Sequence, residues 1–454
     1  MALIHRESLE VLKSELELFS IPPTQASIER TRYVEFQPTT TLDRGGPVEF
    51  FIPANDKEYL DLRNSFLYMK MRILNEKGEP LKAKTSDEDA TIPNKSIVYP
   101  INYIHATCFK TVEVLLNNKS CSSNDTMYPY RAYLEMLLNY DKQTKDEQLA
   151  AAMYYKDKNP LDEHSDAIIK TGADLSKNTG AVARFKRTNY STTFETVGRI
   201  HLEIASQPKL LVGDVAVRLK FHRADSKFAL MAVNKDDKYT ISIDSAILFV
   251  CQKRISDAIR EAHRETLKTK NLLYPIRKIS MKYFTRSAQL SDLTEPNFIN
   301  GTLPRRVIIG LVTAEAYNGH HHYNPFNFRH FSVQTIILRQ NGEALPFQSI
   351  EMDFENKCSL RGYISLLEGT NSLFKNRSLD IRPLIDFSQG FALYCLDLTP
   401  DHSSNNTFDL IQQGNISLEI KLAKPSDKGI CIIAYLEYDS LIEIDSHYNI
   451  IYEQ

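Results

Sequence analysis

Two stretches of the chain have the pattern of one and the same strand: LLVGDVAVRLKF at residues 210–221 and LIQQGNISLEIKL at residues 410–422. In each stretch an apolar pair precedes a glycine, Gly213 or Gly414, and apolar residues then alternate with polar ones. Alternation with a period of two is typical of a β-strand that buries one face. We therefore predict that the chain contains one fold twice.

The pieces upstream of these strands repeat in the same order. TVEVLLNN at residues 111–118 matches SVQTIILRQNG at residues 332–342, and a short helix with an Arg-small-Tyr start follows at 131–133 and at 361–363. A chain of 454 residues exceeds what one core normally supports, so two domains of about 200 residues each are expected. Each domain supplies some eight short strands, which favours a jelly roll or a similar Greek-key sandwich.

The first copy is longer than the second between its helix and its late strand, and the excess falls in residues 141–190. This segment is polar, rich in Lys and Asp, and has no sustained apolar period. Long excursions inside compact domains are usually functional or mobile, although a tolerated surface insertion is the alternative. We expect it to project from the outer surface and not to build the core.

The predicted domain boundaries follow from these patterns. Residues 1–45 are assigned to an N-terminal arm, 46–251 to the first sandwich, 252–272 to a linker helix with Ile255, Ile259 and Leu267 roughly on one face, and 273–454 to the second sandwich. The alternative for the arm is an ordinary edge strand with a frayed terminus. Large apolar side chains in the arm favour contact with a partner, because they need cover; they are Val11, Leu12, Leu16, Leu18 and Phe19.

Composition and charge exclude several classes of function. The formal net charge is -2, with 55 basic and 57 acidic residues and no basic tail, so we expect no specific recognition of nucleic acid. The sequence shows neither a bilayer-spanning apolar run nor a signal peptide, which predicts synthesis in the cytosol. Six cysteines lie far apart without a C-x-x-C pair, and we expect them to be buried as small apolar side chains.

Residues for catalysis are hard to find. No nucleophile elbow, phosphate-binding loop or zinc-type His pair occurs in its required context. The triplet His320-His321-His322 could hold a metal only with further ligands, so a solvated loop over residues 318–325 is the preferred interpretation. We predict no catalytic, cofactor-binding or metal-binding residue and no cofactor, and therefore no enzyme.

The region 301–346 indicates a family. Its motifs are GTLPRRVIIGLV at 301–312, AYNG at 316–319, NPFNF at 324–328 and NGEALP at 341–346, and further matches lie at 13–19, 22–25, 198–201 and 441–445. Together they resemble the hexon-like major capsid protein of Polinton/Maverick elements and adintoviruses. The resemblance covers nearly the whole chain. The His triplet is the one departure from it.

The resemblance implies an all-β fold of two tandem eight-stranded antiparallel jelly rolls, with short helices in loops and a linker helix. It further implies homotrimers that form pseudo-hexameric capsomers, which tile an icosahedral shell around a double-stranded DNA genome. The implied partners are other copies of the chain, neighbouring capsomers, and a penton-type single jelly-roll minor capsid protein. An inner membrane or a minor protein at the base is a further possible partner, and the implied location is the virion.

Two other classes of protein have to be weighed against a capsid protein. An enzyme built on paired jelly rolls would need clustered carboxylates or separated His and Met ligands at the seam of the sandwiches, and a bicupin would need a Glu soon after a His-x-His pair. His320 and His322 have that spacing, but no Glu follows before Glu343. A β-sandwich carbohydrate-binding or host-attachment protein stays open as the alternative, because such sandwiches have no universal sequence signature.

Overall fold

The alternating stretches of the sequence become strands of four large antiparallel sheets. The computed structural model describes residues 7–9, 11–42, 45–81, 97–122, 125–158, 178–232, 238–400 and 407–452. Within this part of the chain, the strands before residue 256 and those after residue 271 form separate sheets.

The first set of strands packs as two four-stranded sheets with a small third one. The sheets have the orders β1-β10-β3-β7 and β2-β8-β5-β6, and β4 pairs with β9. The strands are β1 (Ile28–Phe36), β2 (Val48–Ile52), β3 (Glu58–Asn75), β4 (Val98–Pro100), β5 (Phe109–Leu116), β6 (Lys119–Ser120), β7 (Phe194–Arg199), β8 (Val217–Arg223), β9 (Leu230–Ala232) and β10 (Tyr239–Ile255).

The second set repeats this arrangement strand for strand. Its sheets have the orders β11-β18-β13-β16 and β12-β17-β14-β15, and β19 pairs with β18. The strands are β11 (Leu272–Arg286), β12 (Asp292–Thr302), β13 (Arg306–Thr313), β14 (Val333–Gln340), β15 (Glu343–Glu351), β16 (Leu393–Asp397), β17 (Gln413–Leu422), β18 (Ile430–Ile444) and β19 (Ile450–Tyr452). Numbered within its own set, each half pairs its eight main strands as 1-8-3-6 and 2-7-4-5. The predicted fold, two tandem jelly rolls, is confirmed.

The two stretches that predict the duplication occupy equivalent places, β8 and β17, in the middle of their sheets. Leu219 and Leu418 are both buried, and they oppose Val114 and Leu338 on the next strand. The first stretch forms a strand only from Val217 onward. Before it the backbone of Gly213 passes so close to Asn55 and Glu58 that a Cβ would lie 2.0 and 2.2 Å from their carbonyl oxygens, which only glycine permits.

Short helices lie in the connections between strands. Helices α2 and α9 carry the predicted Arg-small-Tyr starts and occupy the same place in the two rolls, between the fifth and sixth strands. The helices are α1 (Ile104–Thr107), α2 (Tyr128–Asn139), α3 (Lys142–Glu147), α4 (Thr179–Thr188), α5 (Glu203–Ser206), α6 (Ser226–Ala229), α7 (Asp257–Leu267), α8 (Ala314–Asn318) and α9 (Leu360–Gly369).

The linker helix is shorter than the sequence indicates. Residues 252–255 continue β10, where Gln252 pairs with Leu60, and α7 begins only after Ser256. Ile255 therefore belongs to a sheet and not to the helix. Strand β11 starts at Leu272, the last residue that the sequence assigns to the helix. A charged strand end and a charged helix look alike in sequence, which explains the misplaced boundary.

The N-terminal arm is also shorter than predicted. Ile28–Phe36 is β1, an edge strand paired with β10 along its length, as in Tyr33 opposite Cys251. All of its side chains are exposed or half-buried, so no apolar period marks it in the sequence. The alternative of an ordinary edge strand is therefore right for these residues. Only the described residues before 28 extend from the roll, and all of them are exposed.

The excursion at 141–190 does build the core, contrary to expectation. Its described parts are 141–158 and 178–190, and Met153, Tyr154 and Phe185 are buried in the main apolar cluster. Arg184 of α4 is also fully buried. Its guanidinium group donates to the Pro100 carbonyl, the Tyr155 carbonyl and the Asp157 carboxylate at 3.0, 3.1 and 2.9 Å. A segment that is buried through hydrogen bonds between polar residues shows no apolar period in its sequence, so its burial is not predicted.

Replacing Arg184 with methionine tests whether the excursion belongs to the core. Arg184→Met leaves the buried Asp157 carboxylate without its cation, and a broken buried pair costs about 3–5 kcal/mol. We expect a large fall in the urea midpoint of unfolding. The matched control is Lys186→Met on the exposed side of the same helix, which should change stability by no more than about 0.5 kcal/mol. Equal effects of the two substitutions would show that the excursion is a surface insertion.

Candidate assembly surfaces and the seam between the rolls

Helix α2 lies between the two jelly rolls and is buried on nearly every side. The Tyr133 ring stacks on Phe326 of the second roll, with 4.1 Å between the ring centroids and planes 5° apart. Tyr130 contacts Phe326 edge-on and lies parallel to Tyr317. Aromatic contacts of this kind are each worth about 0.5–1.5 kcal/mol beyond the area they bury. The two rolls therefore share one apolar core along a seam.

Polar contacts to backbone atoms surround this aromatic seam. Asn117 donates to the Tyr448 carbonyl at 2.9 Å, and the Met281 amide donates to the Asp125 carboxylate at 3.0 Å. Further bonds that join the rolls run from Lys145 to the Leu379 carbonyl, from Arg377 to the Leu138 carbonyl, and between Tyr274 and the backbone of Leu210 and Val212. Domains in one chain usually move relative to each other unless their interface is large and apolar. This seam has an apolar centre shared by both rolls and hydrogen bonds around it, so packing opposes such motion.

The His triplet lies in the seam and not in a solvated loop. His321 is buried, its Nδ1 donates to the Leu230 carbonyl at 3.0 Å, and its own carbonyl accepts from the Ala232 amide at 2.9 Å. Asn324 is buried as well. The expectation of a solvated loop is wrong here because the edge of the first roll supplies backbone partners. Among the described residues, no group of three His, Cys, Asp or Glu side chains could hold a metal ion.

Two other features of the sequence have clear places in the structure. Five of the six cysteines are buried, as expected, and Cys358 is exposed. Of the helices that the structure describes, none has the length and apolar character needed to cross a membrane.

An ionic cluster lies at one end of the seam. Arg131 of α2 contacts Glu203 at 2.6 Å and Glu135 at 2.9 Å, and Glu135 contacts His201 at 2.7 Å. Burial alone would raise the pKa of Glu135, but Arg131 and His201 outweigh it and hold the pKa at about 2. The cluster thus fixes α2 in one orientation as a charged network. The sequence marks Arg131 of this set through its repeat in Arg361, and His201 through the family resemblance at 198–201, but it gives no signal for Glu135 or Glu203.

Helix α9 has no such cover in the single chain. Aligned through Arg131 and Arg361, the positions of Tyr130, Tyr133 and Leu137 correspond to Leu360, Tyr363 and Leu367. The first three are buried, whereas Leu360 is 49% exposed and Tyr363 and Leu367 are half-buried. Phe374, in the loop after α9, is 98% exposed. The second roll therefore presents a partly exposed copy of the face that the first roll buries.

Two more apolar surfaces are exposed. Near the end of β18, Leu410 and Ile411 are 89% and 80% exposed, beside Phe408 and Ile451. The N-terminal segment exposes the other set, whose members are Leu9, Val11, Leu12, Leu16, Leu18, Phe19 and Ile21. In the described residues of this segment, 7–9 and 11–27, helical structure is limited to one turn at Ser14–Leu16. Contiguous apolar surface of this kind typically marks contact with another protein or a membrane.

Comparison with known proteins supports the fold. No family model matches the chain. It is 27% identical over 432 residues to the uncharacterised protein F54H12.2 of Caenorhabditis elegans. This alignment covers 94% of this chain and 97% of that protein. It superposes on a chain of the Sputnik virophage with a TM-score of 0.62 at 14% identity, covering 100% of this chain and 94% of that one.

The Faustovirus major capsid protein superposes with a TM-score of 0.54 at 10% identity, covering 96% of this chain and 93% of that one. Both superpositions extend over both rolls, so the similarity concerns the double arrangement and not one sandwich alone. The chain therefore has the double jelly-roll fold of viral major capsid proteins.

Acid should destabilise the seam through Glu135. Its pKa is about 2 in the folded chain against an ordinary 4.5, so its contribution is complete above pH 4.5 and is lost as the pH falls toward 2. The full contribution is roughly 3 kcal/mol. Between pH 4.5 and pH 2, the melting temperature of Glu135→Gln should fall less steeply than that of the unchanged chain. Glu147→Gln, at an exposed position, is the control. Parallel plots of melting temperature against pH for all three proteins would contradict this role.

Proposed function

We propose that the chain is the major capsid protein of a double-stranded DNA virus or virus-like element of the Polinton and adintovirus kind. Three copies would form a pseudo-hexameric capsomer, and capsomers would tile an icosahedral shell. The observation that carries the proposal is the repeat of one roll beside another, with α2 buried in the seam and α9 partly exposed.

The repeat explains how copies would associate. If the first roll of a neighbouring chain covers α9 as the second roll covers α2, each contact between chains resembles the contact within a chain. Such an interface is heterologous and must close into a ring or continue as a filament. Six similar rolls from three chains close a pseudo-sixfold ring, which is the number that the family resemblance implies. The near-neutral charge suits lateral contacts between copies.

A charge placed on α9 tests this arrangement. Leu360→Glu should leave each roll folded, because the side chain is half exposed, but should introduce a carboxylate into the interface between copies. We expect light scattering to give three times 52.1 kDa for the unchanged chain and one times that mass for the variant. Leu290→Glu, at a turn far from α9 in sequence and 42% exposed, is the control and should remain trimeric. A monomeric unchanged chain at micromolar concentrations would exclude the proposal.

We place the N-terminal segment at the base of the shell, where its apolar side chains would contact a neighbouring capsomer, a minor capsid protein or an inner membrane. Burial of several large side chains is worth several kcal/mol, at roughly 25 cal/mol per Å². A penton-type single jelly-roll protein would fill the vertices. The proposed location is the virion, after synthesis in the host cytoplasm.

Truncation before β1 separates assembly from folding. Removing residues 1–24 deletes the exposed apolar set but keeps Gln25, whose side chain bonds the backbone of Ile28 where β1 begins. We expect a trimer with an unchanged melting temperature and a strong loss of particles in electron micrographs. A longer deletion of residues 1–40 removes β1 and should lower the melting temperature as well. Normal particles from the shorter deletion would contradict this role of the segment.

A further inference from the structure

A cavity of about 330 Å³ opens in the seam between α2 and the strands β11, β13 and β18. Five guanidinium groups line it, from Arg63, Arg131, Arg199, Arg277 and Arg306, against the two carboxylates Glu135 and Glu437. We propose that this cavity is a binding site for a small phosphate-bearing anion, such as pyrophosphate or a phosphate ester.

The carboxylates at the cavity are already engaged. Glu135 pairs with Arg131, and Glu437 pairs with Arg306. Glu203 and Asp439 contact Arg131 and Arg277 from outside the lining, and even with these two the cations outnumber the carboxylates. The cavity therefore carries excess positive charge in a chain whose formal net charge is -2.

Two of the five arginines have no carboxylate partner in the described part of the chain. Arg199 is half-buried and donates to the Ala205 carbonyl at 3.0 Å, and Arg63 is exposed at the mouth of the cavity. Their remaining N–H groups are available to a ligand. Guanidinium groups bind phosphate through two parallel hydrogen bonds, which explains why arginine and not lysine would line such a site.

Crowding of positive charge is also visible in the second roll. Burial lowers the pKa of Arg277, and the neighbouring Arg305 and Arg306 lower it further. A bound anion would offset this repulsion. The cavity volume lies at the lower end of the range for small-molecule sites, which suits a ligand of pyrophosphate size or slightly larger.

Because the cavity lies between the two rolls, a ligand bound in it would affect the stability of the folded chain. Arg131 and Arg199 belong to the first roll, whereas Arg277 and Arg306 belong to the second. An anion held by all four would link the rolls in addition to the aromatic seam. Because it would bind only the folded chain, it should raise the melting temperature in a concentration-dependent way.

The test is a calorimetric titration of the full chain with pyrophosphate at 150 mM salt, where surface attraction is largely screened. We expect saturable binding at one site per chain and a rise in melting temperature. Arg63→Gln with Arg199→Gln removes the two arginines that lack carboxylate partners, and should weaken binding at least tenfold. The control is Lys110→Gln with Lys119→Gln, two exposed residues of the same roll, and it should bind as the unchanged chain does.

Absence of heat and of a melting shift at millimolar pyrophosphate would overturn the proposal, as would equal weakening in the control. Tighter binding of a DNA oligonucleotide that pyrophosphate does not displace would indicate a nucleic-acid surface instead and would also overturn it. If the double variant melts early without anion, electron cryomicroscopy of the unchanged chain with pyrophosphate decides. Density between Arg131 and Arg306 supports the site, and an empty cavity refutes it.

Discussion

The structure depends on burial of the aromatic face of α2 against the second roll. Tyr130 and Tyr133 would lose much of their cover on an isolated first roll, since their ring partners Tyr317, Phe326 and Phe328 come from the second, whereas Phe228 beside Tyr130 comes from the first. The second roll in turn uses the edge of the first to satisfy His321. Neither roll is complete alone, so the angle between them is fixed by packing and not by the linker.

That fixed angle is what a shell subunit of this kind requires. Two jelly rolls of the same strand order, packed side by side through a shared core, make a building unit whose second roll partly exposes the face that its first roll has buried. The helices α2 and α9 thus have the same origin in the repeat and different surroundings. The ionic cluster around Arg131 belongs to the covered copy only, because Arg361 on α9 is exposed.

The duplication could be predicted from sequence because β8 and β17 lie mid-sheet with one face buried, where period-two alternation is strict. The edge strand β1 could be predicted only as an alternative to an arm, since neither of its faces is buried and its residues show no apolar period. The expected surface position of residues 141–190 is wrong for a related reason: Arg184, Asp157 and Lys145 are buried through hydrogen bonds to each other and to the backbone. A sequence pattern predicts that polar residues are exposed to solvent, because it does not show the hydrogen-bond partners that allow them to be buried.

The seam itself was beyond sequence reasoning. Residues 318–325 have the composition of an exposed turn, and contact with the neighbouring roll buries His321 and Asn324 among them. The cavity lined by arginines is likewise assembled from α2, β7, β11 and β13, which are distant in sequence. The residues of the α9 surface, in contrast, can be identified by aligning α9 with α2, because the structure shows which residues of α2 are covered.

Electron cryomicroscopy of the purified chain tests the central claim most directly. The account predicts a three-chain ring in which the first roll of one copy covers α9 of the next, with contacts to Leu360 and Tyr363 that match those to Tyr130 and Tyr133 within a chain. A ring or a particle in which α9 faces solvent, or a monomer alone, would contradict it.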